Sequence, residues 1–155
     1  MDIQVVEKNE LKVVGISWNG TYAETNTIPS LFTELEARLN EVAYQTKEPI
    51  LIAPFHSRET EFTYYVTTPV EKIENIPEGM VGFTIPRKNY VCATHKGRPE
   101  EVENTYLQLL KWMKEYGYEQ DLNALSLEIY PEANKHLNAS GNLHYDIYLP
   151  VKQYR

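Results

Sequence analysis

Leu125-Ser126-Leu127-Glu128-Ile129-Tyr130-Pro131 alternates residue by residue. In an extended strand Leu125, Leu127 and Ile129 share one face, and Ser126, Glu128 and Tyr130 share the other. The leucine face has the composition of a core surface. That leaves a glutamate in mid-strand, with an aromatic two residues away on its own face. If this face lines a cleft, Glu128 is an anionic anchor among aromatic walls; if it meets water, it is an ordinary solvated charge.

Working outward, the second half of the chain replays the first. Residues 80–85 and 89–95 carry strand signals, broken at Lys96-Gly97. Pro99 opens a helix with the apolar stripe Val102, Tyr106, Leu109, Leu110 and Met113, and Gly117 ends it. The last strand is His144-Tyr145-Asp146-Ile147-Tyr148-Leu149-Pro150-Val151. In the first half, strand signals over residues 3–18 break at Asn19-Gly20. Asn26 or Thr27 caps the next element, Pro29 sits in its first turn, and Ile28, Leu31, Phe32, Leu35, Leu39 and Val42 recur at helical spacing. Residues 50–56 and 61–70 read as strands joined by Ser57-Arg58-Glu59-Thr60.

Trp18-Asn19-Gly20 before the first helix corresponds to His95-Lys96-Gly97 before the second. Thr67-Thr68-Pro69-Val70 corresponds to Tyr148-Leu149-Pro150-Val151. The expectation is one α+β domain over residues 1–155, made of duplicated strand-helix-strand-strand units (about 1–74 and 75–155) with pseudo-twofold symmetry around a central cleft. If the second helix covers the leucine face, Glu128 points to the seam between the halves, where ligand sites are favoured.

Composition narrows the function. With 155 residues, 42% hydrophobic and 24% charged, the chain suits a globular domain with a real core. A net charge of -7 opposes direct nucleic-acid binding, which needs a basic surface, and is compatible with cationic small molecules. A single cysteine, Cys92, allows no intramolecular disulfide and reads as a small buried hydrophobe. His56, His95, His136 and His144 lack metal-ligand spacing, and no phosphate loop or Gly-x-Ser-x-Gly turn is present, so no cofactor or metal is expected. The N-terminus lacks signal-peptide character and no apolar run approaches membrane-spanning length, so the expectation is a soluble cytoplasmic protein with no membrane partner.

The Trp18-Asn19-Gly20-Thr21-Tyr22 turn, the Ile28-Pro29-Ser30-Leu31-Phe32 helix start, Glu128-Ile129-Tyr130 and Asp146-Ile147-Tyr148-Leu149-Pro150-Val151 resemble the GyrI-like small-molecule-binding domain. This is the effector-binding domain of AraC-type and MerR-type multidrug regulators. The resemblance spans nearly the whole chain and rests on the order and spacing of short motifs. It implies a duplicated strand-helix-strand-strand fold with a central cleft. It also implies that a glutamate at the position of Glu128 receives cationic aromatic ligands among aromatic side chains. Candidate walls here are Trp18, Phe55, Tyr65, Tyr90, Tyr130 and Tyr148. Tyr64 and Tyr65 point to opposite faces, so only one of them can belong to the cleft. Trp112 reads as helix packing, and His56 as a further pocket candidate.

Three functions compete. The leading one is a stand-alone binding protein for amphipathic, cationic aromatic small molecules. No helix-turn-helix segment is visible ahead of the domain, so direct DNA binding is not expected. The second is a hydrolase of strained, cyclopropane-bearing toxins, a type the resemblance includes, with Glu128 positioning or deprotonating a water. The third is a protein-interaction module such as a gyrase modulator, with an unidentified partner.

Overall fold

The computed structural model describes residues 2–131 and 142–152; His136 lies outside the described residues. Eight strands are formed where alternation and β-branched content call for them: β1 (Gln4–Lys8), β2 (Leu11–Thr21), β3 (Leu51–Ser57), β4 (Glu61–Pro69), β5 (Val81–Ile85), β6 (Lys88–Gly97), β7 (Ser126–Tyr130) and β8 (Leu143–Pro150). All pair antiparallel in one sheet of order β1-β6-β8-β7-β3-β4-β2-β5. Two helices complete the α+β fold, α1 (Ile28–Arg38) and α2 (Val102–Glu115). Pro29 occupies the first turn of α1, and Gly117, at φ +78, follows the end of α2 in the left-handed region that glycine tolerates.

The sheet order is palindromic. Exchanging β1 with β5, β2 with β6, β3 with β7 and β4 with β8 reproduces it, which is the pseudo-twofold relation of the two halves. Each half opens with two strands before its helix, one more than the strand-helix-strand-strand unit. The extra strand arises because one long strand is interrupted at Asn9-Glu10 and its counterpart at Pro86-Arg87: Gln4↔Cys92 to Lys8↔Lys88 and Leu11↔Ile85 to Gly15↔Val81 keep a single antiparallel register across the breaks.

These short links force the sheet to curl. β1 and β2 are joined only by Asn9 and Glu10, yet they stand near opposite ends of the order. The peptide links from Lys8 to Leu11 reach at most about 11 Å, whereas a flat sheet would separate such strands by about 29 Å. β5 and β6, linked by Pro86 and Arg87, impose the same closure from the other half. Gly15 allows β4 to approach β2: a Cβ there would lie 2.0 Å from the Val66 carbonyl oxygen.

Each face of the sheet has its own core. Leu31, Phe32 and Leu35 of α1, with Leu109 and Met113 of α2, pack on one face against Val66, Val91, Ala93 and Ile147. The other face carries Val13, Ile52, Ile85, Tyr90, Leu127 and Ile129, drawn from strands at both ends of the order, so the curl itself covers them. This corrects one expectation. The leucine face of β7 is core, but it is covered by the curled sheet and not by the second helix. Both helices lie on the face that carries Glu128.

Candidate functional site

Glu128 sits at the pseudo-twofold axis. Thr67 of β4 pairs with Ile52, and its counterpart Tyr148 of β8 pairs with Leu127. Ile52 therefore corresponds to Leu127, and Ala53 to Glu128. These last two are also cross-strand partners in the β3–β7 ladder. The two halves meet at one position, where one supplies a carboxylate and the other a methyl group. The small Ala53 leaves the space beside the axis to a single glutamate.

That glutamate is buried, with 8% of its surface exposed. Its partners are phenols. Tyr64 donates to Oε1 at 2.7 Å, Tyr130 donates to Oε1 at 2.9 Å, and Tyr106 of α2 donates to Oε2 at 2.7 Å. None of the ion pairs among the described residues involves Glu128. Burial raises its pKa above the ordinary carboxylate value, and the hydroxyls of Tyr64, Tyr106 and Tyr130, with the field of His95, oppose the rise. Burial and then the Glu128 charge push the three phenols well above their usual value, so they remain protonated donors.

Above the carboxylate lies a cavity of about 720 Å³. Tyr22, Phe55, Phe62, Tyr64 and Tyr106 supply aromatic surface. Tyr22 stacks on Phe62 at 5.0 Å, and Phe55 stacks on Tyr64 at 6.1 Å, so the walls brace one another. The mouth is fastened from both sides. Tyr22 donates from its hydroxyl to the Arg58 carbonyl at 2.6 Å, and His56 Nε2 lies 2.9 Å from the Leu122 carbonyl oxygen and bonds it as donor.

The expected wall residues divide by strand parity. Phe55 lines the cavity, and Tyr130 lies behind Glu128, holding it while meeting Phe32 edge-on at 4.9 Å. Trp18 packs edge-on against Phe62 at 5.3 Å, one layer behind the wall. Tyr65, Tyr90 and Tyr148 are not brought to the cavity. Tyr65 packs on Phe83 at 4.9 Å, and Tyr90 meets Tyr148 at 5.8 Å, all on the opposite face of the sheet. Each neighbours in its strand a residue that faces the helices: Tyr64, Val91, and Ile147 with Leu149. Tyr64, and not the expected Tyr65, is the inward member of its pair; the alternation of Phe62, Tyr64 and Val66 on one apolar face is the signal that marks it. Tyr106 read as part of an apolar helix stripe, and no local signal marked its hydroxyl as a partner of Glu128. Trp112 packs as expected, stacked on Tyr118 at 5.7 Å.

No group of three or more metal-ligating side chains occurs among the described residues, and no helix among them is long and apolar enough to cross a membrane.

Residues 1–152 match the family described as GyrI-like small molecule binding domain. The chain belongs to this family. A curated relative is the transcriptional regulator BrlR of Pseudomonas aeruginosa, 28% identical over 107 residues; the match covers 68% of this chain and 39% of BrlR, so the chain spans well under half of that relative. Among solved structures, SAV2435 bound to tetraphenylphosphonium superposes with a TM-score of 0.73 at 15% identity, covering 98% of this chain and 94% of that one. The EcmrR C-terminal domain gives 0.76 at 16% identity, covering 99% and 98%. A hydrolase encoded by lin2189 from Listeria innocua is more distant, at 0.53 and 14% identity, covering 97% and 91%. At these identities the structures share the GyrI-like fold.

Proposed function

We propose that this GyrI-like chain binds amphipathic aromatic cations in the cavity over Glu128. The observation that carries the reading is a buried carboxylate with no cationic partner among the described residues, held by three phenols at the floor of an aromatic cavity. Burying a carboxylate without a counter-charge is costly. A lipophilic cation supplies that charge, while its rings replace water against the aromatic walls, at about 0.5–2 kcal/mol for each cation–π contact. Neither attraction demands strict geometry, so the site accepts a class of ligands. The tetraphenylphosphonium bound to SAV2435 is a lipophilic aromatic cation, which supports the same class here.

The test is calorimetric titration of the chain with tetraphenylphosphonium. Saturable one-to-one binding at micromolar strength is the expected result. No saturable binding of any lipophilic aromatic cation at millimolar concentration would refute the proposal. A product released from a strained electrophile, at a rate abolished by Glu128→Gln, would instead favour hydrolysis at the same carboxylate.

A further inference from the structure

The cavity holds more negative charge than one cationic centre uses. Three carboxylates line it, Glu103, Asp121 and Glu128, and no lysine or arginine does. Asp121 is neutralised where it stands: Lys88 Nζ donates to its carboxylate, and so does the Asn123 backbone N–H at 3.0 Å. Glu128 is engaged by its phenols. Glu103 is exposed, and its carboxylate makes no hydrogen bond or ion pair with any described residue.

The helix fixes where Glu103 stands. Thr105, Leu109 and Met113 are the buried stripe of α2, while Val102, Glu103, Tyr106 and Leu110 form the adjoining stripe that lines the cavity. Glu103 precedes Tyr106 by three residues, about 4.5 Å along the helix axis, and neighbours it on the helix surface. The Tyr106 hydroxyl is bonded to Glu128. One side chain thus connects an anionic floor with an anionic rim. The same cavity is lined by the apolar surfaces of Ile28, Phe55, Phe62 and Leu110. The volume of about 720 Å³ is in the upper half of the range for small-molecule pockets, which leaves length for a ligand that spans both charges.

Building on the cation-binding reading above, we propose that Glu103 is a specificity-determining residue for a second positive charge. The ligand class is then elongated aromatic dications, with one centre over Glu128 and the other at Glu103. Because Glu103 is exposed, its contribution is that of a solvated ion pair, about fivefold in affinity at low salt, and it fades as ionic strength shortens the screening length.

The test compares ethidium with propidium, which share a phenanthridinium ring and differ chiefly in the second quaternary ammonium that propidium carries on a propyl arm. Fluorescence titrations of the whole chain at low salt should give propidium about fivefold tighter binding. In Glu103→Gln the propidium-to-ethidium affinity ratio should fall to near one. In Glu115→Gln, which removes an equal charge at the far end of α2, the ratio should persist. Equal affinities in the unmodified chain, or a preference that survives Glu103→Gln, overturns the inference. If ethidium binding depends on Glu128 while the preference is missing, only the dication assignment fails. If neither dye responds to Glu128→Gln, the cation-binding reading falls with it.

Discussion

Replacing Glu128 by glutamine removes the charge from the cavity floor and keeps the side-chain volume. Oε1 can still accept from Tyr64 and Tyr130, while the new amide faces the Tyr106 hydroxyl, which turns to accept. The fold should therefore survive, and unchanged circular dichroism checks that it does. A cationic centre about 5 Å from the carboxylate, at an effective dielectric of about 20, gains about 3 kcal/mol. Two effects reduce this. The phenols already stabilise the charge, and burial favours the protonated form that a cation must displace. The expected loss in Glu128→Gln is about 1.4–3 kcal/mol, roughly 10- to 150-fold in Kd. The assay is calorimetry with tetraphenylphosphonium beside neutral triphenylphosphine oxide, which offers the same rings without the charge. The neutral compound should bind both proteins within about twofold. Should the folded glutamine variant hold the cation as tightly as the parent, the carboxylate would have no part in recognition.

Further outcomes follow from the same geometry. Because the folded-state pKa of Glu128 is raised above 4.5, the folded chain holds this proton more firmly than the unfolded chain. Its contribution to stability is therefore full below the unfolded pKa and is lost as pH rises through the folded value. Cation affinity should climb through that same window as the carboxylate ionises; titrations from acid to neutral pH should show this rise, and Glu128→Gln should flatten it. Tyr106→Phe removes the donor to Oε2, so it should move the midpoint of that climb to higher pH; an unmoved midpoint would deny Tyr106 a part in holding the charge. Tyr65→Phe and Tyr148→Phe, on the far face, should leave the Kd within about twofold; a larger change in either would contradict the strand register. Leu127→Ala, at a position with 0% exposure, should cost about 2–5 kcal/mol of stability in denaturant unfolding.

The sequence by itself determined the elements and their duplication. Alternation in Leu125–Tyr130, the apolar stripes of the two helices, and the matched Gly and Pro positions in both halves are local signals, because side-chain direction follows from strand and helix period. They were enough to put Glu128 opposite the leucine face and to split Tyr64 from Tyr65. They did not say which face the helices cover, nor that the sheet curls until its ends meet. That curl comes from two short links, Asn9-Glu10 and Pro86-Arg87, joining strands that pair far apart. Only the tertiary structure set Ala53 against Glu128 at the axis, brought Tyr64 and Tyr106 to its carboxylate from β4 and α2, and left Tyr65, Tyr90 and Tyr148 on the other side. Local period fixes which residues share a face, whereas long-range pairing and helix placement decide what that face meets.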